Sequence, residues 1–308
     1  MILAVSLNPC IDRTVTVENL SVGGHNEAVS SRCDVSGKGI NVNVVLRQLS
    51  VPTACLGFEF DGAVVGDFLA KREIPFWSVH VPADIRVNLK VTDSAQHVMT
   101  EINERGAGVP AQAVQAVLER LKELLKQTAL LVVDGSVPPG VPSTIYADMI
   151  RMAKQAGVRT LLDASGALLR EGVKAAPWLV KPNLFELETL FGDPITSREQ
   201  VISLCRRLIE EGVEMVCLSM GKDGALLVTK DEVWHSPGLS IPVRGVQGAG
   251  DSMVAGLCMA MQAGLSTKEH LRYAMSCAHG SLLHEGTLLC TQGDFEAMLA
   301  QMPVMRLG

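Results

Sequence analysis

Residues 110–135, which run PAQAVQAVLERLKELLKQTALLVVDG, contain the clearest structural unit of the chain and indicate its fold class. Up to Lys126 the apolar residues recur at helical spacing behind a proline, which predicts a helix with one apolar face. Residues 129–133 are then all apolar and end at Asp134, a pattern typical of a strand that is buried on both sides. A helix followed by a buried strand is the unit of an α/β protein with a parallel sheet.

The same alternation continues toward the carboxyl terminus. Helices are predicted for residues 142–156, about 183–191 and about 197–211, and strands for residues 158–163, 179–180 and 215–219. We therefore predict an α/β fold with a mostly parallel central sheet that is flanked by helices on both sides.

Two segments interrupt this rhythm and predict a smaller second sheet. Residues 13–34 and 77–102 alternate polar and apolar side chains, as half-exposed strands do. We expect one domain over residues 1–308, with a small β-sheet lid formed by insertions at about 12–35 and 77–103. Because an exposed sheet needs a partner, a homodimer through this lid is expected.

Composition and charge exclude several classes of function. The chain has 308 residues, 27 Lys+Arg, 33 Asp+Glu and a net charge of -6, which disfavours nucleic acid and anionic membranes as partners but permits small anionic ligands. Its eight cysteines are scattered without a C-x-x-C pair, as expected of reduced thiols in the cytoplasm. No apolar run approaches the ~18 residues of a membrane span.

The glycine-rich stretch GVQGAGDS at residues 245–252 precedes an apolar helix and is the strongest candidate for chemistry. Glycines before a helix let backbone amides converge on an anion, and the helix dipole adds to the attraction. Asp251 follows in the first turn, where a base can take a proton from an alcohol while the amides hold a phosphoryl group. A flexible loop with an aspartate cap is the alternative.

Three further stretches carry candidate polar groups. In SGKGIN (36–41), a lysine between two glycines suits a polyol or its phosphate, although an ordinary strand-to-helix turn has the same composition. In KPNLFE (181–186), Asn183 and Glu186 are three residues apart and can hold Mg²⁺ through water, or form a capping box. SMGKDGA (219–225) follows a buried strand, where open sheets bind ligands.

Taken in order, these motifs resemble those of the ribokinase-like (PfkB) carbohydrate kinases, in the branch of 1-phosphofructokinases and tagatose-6-phosphate kinases. The resemblance runs from Ser6 to about Thr287 and includes eight motifs in the family's order. They are NPCIDR (8–13), GKGIN (37–41), RVN (86–88), TEINE (100–104), GSVPPG (135–140), KPNLFE (181–186), SMGKDGA (219–225) and GAGDSMVAG (248–256). The resemblance implies a three-layer ribokinase-like fold.

The resemblance also implies a role for each matching residue. Asp251 is the expected base, with the amides of Gly248, Ala249 and Gly250 as the anion hole. The residues expected to bind the sugar hydroxyls or a phosphate on the sugar are Asp12, Gly37, Lys38, Asn41, Arg86 and Ser136. The residues expected to contact ATP are Lys181, Asn183, Ser219, Gly221 and Gly224, and those expected to position Mg²⁺ through water are Asn183 and Glu186.

Some positions depart from the family pattern. Glu27 stands where many sugar-phosphate kinases of this branch carry an arginine, and a carboxylate there would repel a phosphate. Ser36 replaces a glycine, Asp134 a serine and Arg105 a proline, and Arg105 can supply positive charge in place of the missing arginine. His279 lies where the family places small residues beside adenine, and we expect it in the core.

The resemblance implies a phosphotransferase that acts on an alcohol group of a ketohexose phosphate. The expected reaction uses ATP and Mg²⁺ to convert fructose 1-phosphate into fructose 1,6-bisphosphate. Tagatose 6-phosphate, or an unphosphorylated sugar or nucleoside, is the alternative substrate. A non-catalytic sugar- or nucleotide-binding regulator is a more remote alternative, which the intact Asp251 disfavours.

Overall fold

The computed structural model describes residues 1–192, 194–286 and 288–307. Within these residues a large sheet has ten strands, and its spatial order is β14-β13-β12-β11-β10-β9-β8-β1-β4-β5. These strands are β1 (Ile2–Ser6), β4 (Thr53–Glu59), β5 (Phe76–His80), β8 (Leu130–Asp134), β9 (Arg159–Asp163), β10 (Leu179–Val180), β11 (Met215–Ser219), β12 (Ala225–Val228), β13 (Val233–Ser236) and β14 (Met305–Arg306). From β11 to β5 neighbouring strands are parallel, whereas β12, β13 and β14 add an antiparallel edge.

Helices cover both faces of this sheet, so the predicted three-layer α/β fold is confirmed. They are α1 (Lys38–Gln48), α2 (Val64–Ala70), α3 (Ala111–Leu124), α4 (Ile145–Gln155), α5 (Gly166–Val173), α6 (Leu184–Phe191), α7 (Arg198–Glu210), α8 (Ala249–Gln262), α9 (Thr267–Leu282) and α10 (Gln292–Leu299). Along β1, Leu3 and Val5 pack with α3 to α7, whereas Ile2 and Ala4 pack with α1, α2 and α8 to α10. Because helices cover both faces of the sheet, successive residues of a central strand are all buried, and this explains why the strands are continuously apolar.

The predicted elements differ from the observed ones mainly at their ends. Strands 179–180 and 215–219 have the predicted limits. The helix predicted for residues 142–156 begins three residues later, at Ile145, and its chain reverses at Gly157 with a φ of 73°. The helix predicted to reach Lys126 ends at Leu124 and tightens into a 3₁₀ turn over Leu125–Gln127. Helix ends commonly fray in this way.

A second sheet of four strands, in the order β3-β2-β6-β7, forms the lid. Its strands are β2 (Cys10–Val17), β3 (Ala28–Ser36), β6 (Arg86–Asp93) and β7 (Val98–Ile102). The predicted boundary at residue 77 is wrong, because Phe76–His80 pairs in parallel with β4 and extends the large sheet. The second segment of the lid therefore begins at Arg86.

The two faces of the lid differ in chemistry. Paired residues of neighbouring strands share a face, since side chains alternate along each strand. One face, called the polar face below, carries Cys10, Asp12 and Thr14 of β2, Ser36, Asp34 and Arg32 of β3, and Arg86, Asn88 and Lys90 of β6. The opposite face, called the apolar face below, is rich in apolar residues and also carries some polar ones. Its apolar residues include Ile11, Val15, Val35, Val87, Leu89, Val91, Val98 and Ile102, and the others are Arg13, Ser31, Cys33, Asp93 and Thr100. Asp12, Asn88 and Lys90 are buried, which shows that the polar face is directed toward the body of the protein.

All eight cysteines lie in the described residues and are unpaired. Among the helices that the structure describes, none combines the length and the apolar character needed to cross a membrane.

Candidate active site

The amino terminus of α8 forms the centre of the site. Gly248 precedes the helix with a φ of 70°, and the side chain of Leu289 leaves no space for a Cβ there. No side chain caps the helix, so its first amides remain available to an anion. Asp251 lies in this first turn and is buried, with 8% of its surface exposed. Asn41 of α1 donates a hydrogen bond of 2.7 Å from Nδ2 to Oδ2 of Asp251.

The electrostatic surroundings of Asp251 suit a base. Burial raises the pKa of Asp251, while Lys38 and the hydrogen bond from Asn41 counteract that rise. The net effect is a raised pKa for Asp251. Its carboxylate is therefore a stronger base than that of an ordinary aspartate. The two predicted residues Asp251 and Asn41 are therefore in direct contact, although 210 positions separate them in the sequence.

Two predicted lysines meet on a carboxylate that the sequence analysis missed. Asp163, at the end of β9, lies 3.1 Å from Nζ of Lys38 and 3.2 Å from Nζ of Lys181. Burial alone would raise the pKa of Asp163, but the two ammonium groups outweigh it and lower the pKa. An acidic residue at the carboxyl end of a predicted buried strand was the available signal, because such residues reach the ligand edge of a parallel sheet.

Asp134, which replaces a serine of the family pattern, adds a carboxylate without a partner. It ends β8, is 2% exposed, and neither of its carboxyl oxygens has a hydrogen-bond partner among the described residues. Burial, together with the charges of Asp251 and Asp163, raises its pKa well above the ordinary value. With Asp134 protonated, the two charged carboxylates of Asp163 and Asp251 balance the two ammonium groups of Lys38 and Lys181.

The polar face of the lid presents Asp12. Its Oδ2 lies 2.8 Å from Nζ of Lys90, and its Oδ1 accepts a hydrogen bond of 3.0 Å from Nδ2 of Asn88. Burial would raise the pKa of Asp12, but Lys90 and Asn88 lower it overall. Asp12 is therefore a fixed acceptor for ligand hydroxyl groups. Lys90 was missed by the sequence analysis, and its position two residues after Asn88 on the same face of β6 was the signal.

Arg86 and Ser136 are held at the other end of the site. Arg86 donates from Nη2 to the carbonyl oxygen of Asn8 at 2.8 Å and from Nη1 to that of Glu104 at 3.0 Å. Nδ2 of the Asn8 side chain also donates to Oγ of Ser136 at 3.1 Å. These contacts join the lid to the carboxyl ends of β1 and β8.

A cavity of about 770 Å³ lies between the lid and the carboxyl ends of β1, β8 and β9. Its lining includes Lys38, Arg86, Arg105, Ser136 and Glu186. Asp251 is not among the lining residues, whereas Lys38, which influences the pKa of Asp251, is. Glu27 is exposed in the loop between β2 and β3 and does not line the cavity either.

Asn183 and Glu186 form the capping box that was the alternative to a metal site. Glu186 donates from its backbone amide to Oδ1 of Asn183 at 2.8 Å, and the amide of Asn183 donates to Oε2 of Glu186 at 2.9 Å. The second carboxylate oxygen of Glu186, Oε1, makes no hydrogen bond to a described residue. In the part of the chain that the structure describes, no three His, Cys, Asp or Glu side chains converge to bind a metal directly.

The residues expected to contact ATP lie beside this box. Ser219 pairs with Asn183 through an isolated β-bridge. Gly221 and Gly224 follow in a tight turn with φ values of 60° and 84°, and the backbone of Ser236 leaves no room for a side chain at Gly224. Gly37 precedes α1 with a φ of 142°. A Cβ atom added at Gly37 would lie 3.2 Å from Cα of Pro9, so the two backbones are close together.

His279 lies in the core, as expected. Its Nδ1 bonds to the carbonyl oxygen of Met275 at 2.8 Å, and its Nε2 accepts from the amide of Leu239 at 2.9 Å. Burial lowers its pKa, which keeps the ring neutral. Ser36, which replaces a glycine of the family pattern, is also buried and pairs with Cys10. Thr287, at which the resemblance ends, lies outside the described residues.

Comparison with known proteins gives a consistent result. Residues 2–293 match the pfkB family carbohydrate kinases. The chain is 33% identical to the 1-phosphofructokinase of Bacillus subtilis over 100% of both chains, and 35% identical to that of Rhodobacter capsulatus over 91% of this chain and 90% of the relative. Phosphofructokinase-2 from Escherichia coli, solved in complex with substrates and products, superimposes with a TM-score of 0.92 at 25% identity, covering 97% of this chain and 98% of that chain.

The unpartnered carboxyl group of Asp134 makes stability depend on pH. Its pKa is higher in the folded protein than in the unfolded chain, so the free energy of unfolding falls as pH rises above about 4, until the folded pKa is passed. The Asp134→Asn variant lacks this loss. We therefore compare the free energy of unfolding of this variant with that of the unchanged protein. We expect the difference, variant minus unchanged, to be larger at pH 8 than at pH 5 by about 1–3 kcal/mol.

Urea unfolding at the two pH values measures this difference. Asp148→Asn, on the exposed surface of α4, is the control and should show no comparable change with pH. A difference between Asp134→Asn and the unchanged protein that is the same at pH 5 and pH 8 would contradict a raised pKa.

Proposed function

The chain belongs to the pfkB family of carbohydrate kinases, and we propose that it transfers the γ-phosphoryl group of ATP to fructose 1-phosphate. The product is fructose 1,6-bisphosphate. The observation that carries this proposal is the placement of Asp251, a buried carboxylate with a raised pKa, in the first turn of a helix whose amides are free to bind an anion. The names of the relatives at 33% and 35% identity support the choice of substrate.

In the proposed reaction Asp251 accepts the proton of the acceptor hydroxyl group. The hydroxyl oxygen then forms a bond to the γ-phosphorus, the bond to the β-phosphate oxygen breaks, and ADP leaves. The amides of Gly248, Ala249 and Gly250 hold the transferring group, because backbone donors at a helix terminus favour developing negative charge. Chemistry of this kind depends on positioning and charge neutralisation more than on covalent catalysis.

The sugar is proposed to lie between the lid and α1. Asp12 and Asn41 bind its hydroxyl groups, and the backbone at Gly37 permits a close approach. The phosphate already on the sugar is proposed to lie in the cavity lined by Arg86, Lys38 and Ser136, where Arg105 adds a positive charge. Glu27 does not oppose this placement within one subunit, since it lies outside the cavity lining.

ATP is proposed to bind along the carboxyl ends of β10 and β11, where Lys181, Asn183 and Ser219 lie together and the turn at Gly221 and Gly224 allows close contact. Mg²⁺ is proposed to be held through water by Glu186, whose Oε1 remains available beside the cavity. The oxygen of Asn183 already accepts a hydrogen bond in the capping box, so Asn183 has the lesser part in this site. The bound ion would neutralise phosphate charge. Location in the cytoplasm stays a prediction.

Release of ADP in a coupled assay tests the substrate. We expect turnover with fructose 1-phosphate and Mg²⁺, and a lower kcat/KM with tagatose 6-phosphate, fructose 6-phosphate, fructose and a nucleoside. Turnover confined to an unphosphorylated sugar or nucleoside would contradict the substrate proposal and leave the kinase proposal standing. Absence of turnover with every acceptor would contradict both.

Asp251→Asn tests the base. The amide keeps the size of the side chain and a hydrogen-bonding oxygen toward Asn41 but cannot take up the proton. We expect kcat to fall by about 10²–10⁴-fold, which is the usual contribution of a general base, with little change in ATP affinity. Asp148→Asn, which changes an exposed residue that does not line the cavity, is again the control. An unchanged kcat for Asp251→Asn would remove this residue from the mechanism.

We also propose a homodimer that forms through the apolar face of the lid. The strands β2, β6 and β7 place Ile11, Val15, Leu89 and Val91 beside Val98 and Ile102, and the last two are 53% and 57% exposed. A sheet with an apolar face of this kind normally has a partner in solution. A twofold arrangement would bring the same face of two subunits together.

Ile102→Glu tests the dimer by placing a charge on this face. We expect a shift from dimer to monomer in light scattering after size-exclusion chromatography, because burying an unpaired charge is costly. Met305→Glu, which changes an exposed residue at the far edge of the large sheet, should leave the mass unchanged. A monomeric unchanged protein, or a dimeric Ile102→Glu variant, would contradict this interface.

A further inference from the structure

We propose that Arg32, on strand β3 of the lid, contacts the γ-phosphoryl group of the nucleotide and stabilises it during transfer. This inference rests on the proposed kinase function and assigns a further residue to the same site. It was not among the residues that the motifs of the sequence indicated.

Arg32 lies on the polar face of the lid, one step beyond the sugar-binding residues. In the strand register Arg32 pairs with Thr14, whereas Asp34 pairs with Asp12. Arg32 therefore lies beside Thr14, which is two residues further along β2 than Asp12. Two residues of a strand span roughly 7 Å. Arg86 pairs with Cys10 and lies on the opposite side of Asp12. The sugar site thus has one arginine at each end.

The guanidinium group of Arg32 packs against the backbone that supports the glycine-rich loop. An ideal Cβ on Gly286 would lie 2.8 Å from Cζ of Arg32. Gly286 in turn packs against Gly245, the first glycine of the loop, since an ideal Cβ on Gly245 would lie 3.4 Å from the nitrogen of Gly286. The end of the lid site at Arg32 is therefore the end nearest the loop that leads into α8.

A second contact shows that the lid is closed over the same loop from its other edge. Gln247 donates from Nε2 to Sδ of Met99 on β7 at 3.7 Å. Since β3 and β7 are the two edges of the lid sheet, the glycine-rich loop and its support lie beneath the polar face. Arg32 is therefore on the side of the lid next to the loop that leads into Gly248, Ala249 and Gly250.

Arg32 is the cation of this face with donors to spare. Arg86 uses Nε, Nη1 and Nη2 on protein oxygens, and the ammonium group of Lys90 is buried against Asp12. Arg32 bonds only through Nε, to Oδ2 of Asp34 at 2.7 Å, and its Nη1 and Nη2 make no hydrogen bond to any described residue. Asp34 thereby holds the guanidinium group in place, with Nη2 nearest Gly286, and leaves the hydrogen-bonding capacity of the terminal nitrogens unused by the described residues.

Phosphoryl transfer needs such a group. Negative charge is spread over the equatorial oxygens of the transferring phosphoryl group, and a guanidinium donates two parallel hydrogen bonds to phosphate oxygens. Lys38 and Lys181 already neutralise Asp163, so less of their charge is available. A γ-phosphate held between the amides of α8 and Arg32 would bring the lid, the sugar and the nucleotide together.

The Arg32→Met variant tests this assignment, since methionine keeps an unbranched side chain without charge. We expect kcat to fall by at least about 10-fold, the loss typical of a hydrogen bond to a charged group. We also expect a non-hydrolysable ATP analogue to lose affinity by a similar factor in calorimetry, while ADP affinity stays nearly unchanged. Arg32→Lys should recover part of kcat, because it keeps the charge but loses the fork of donors.

The control is Arg151→Met, which removes an exposed arginine paired with a nearby aspartate on α4 and should change none of these values. An unchanged kcat for Arg32→Met, or an equal loss of affinity for ADP and the ATP analogue, would overturn the assignment; equal loss would show that Arg32 only secures the loop. If the unchanged protein phosphorylates no acceptor, the kinase proposal fails instead, and the two nucleotide affinities still decide the role of Arg32.

Discussion

The ion pairs of Asp163 with Lys38 and Lys181 are the interaction on which the rest of the site depends. Asp163 ends a central strand, Lys38 begins α1 on one side of the sheet, and Lys181 precedes α6 on the other. One buried carboxylate thus fixes the segment expected to bind the sugar relative to the segment expected to bind the nucleotide. Removing it would leave two ammonium groups without their partner, one of them fully enclosed, and that is far more costly than losing an exposed pair.

The lid contains a second buried ion pair, between Lys90 and Asp12. Lys90 and Asp12 neutralise each other inside the small sheet, while Asn88 occupies the other carboxylate oxygen. Asp12 therefore has a defined orientation and a lowered pKa, and it can accept hydrogen bonds from a polyol without first being ordered. The buried ion pairs of Asp163 and of Asp12 preorganise both walls of the proposed sugar site.

The sequence predicted the layers, most strands and the partnership of distant motifs, because buried parallel strands and glycine-rich helix starts have local signatures. It failed where the outcome depends on which strands become neighbours. Phe76–His80 alternates like a lid strand, yet it pairs with β4 in the large sheet. Asp163, Lys90 and Arg32 belong to no motif that was recognised. Asp163 and Lys90 are identified by partners 125 and 78 positions away, and the proposed role of Arg32 depends on the pairing of β3 with β2.

The predicted metal residues illustrate the same limit from another direction. The spacing of Asn183 and Glu186 is required both by a capping box and by a pair of oxygen ligands, so the sequence could not separate the two. In the structure the box is formed, yet it uses only one oxygen of Glu186. A single side chain can therefore hold the helix start in place and still present an oxygen to hydrated Mg²⁺, and the two alternatives are not exclusive.

The proposed ligands are polyanions, although the chain is acidic overall. Cations that are paired with the protein's own carboxylates must therefore be distinguished from donors that can contact phosphate. Most cations near the cavity are already committed: Lys38 and Lys181 to Asp163, and Lys90 to Asp12. The protonated state favoured for Asp134 keeps a further negative charge out of the site. What we propose to remain for phosphate is a small number of directional donors, namely the amides of α8 and the terminal nitrogens of Arg32. Because these donors act over short distances, they can bind phosphate despite a net charge of -6 for the whole chain.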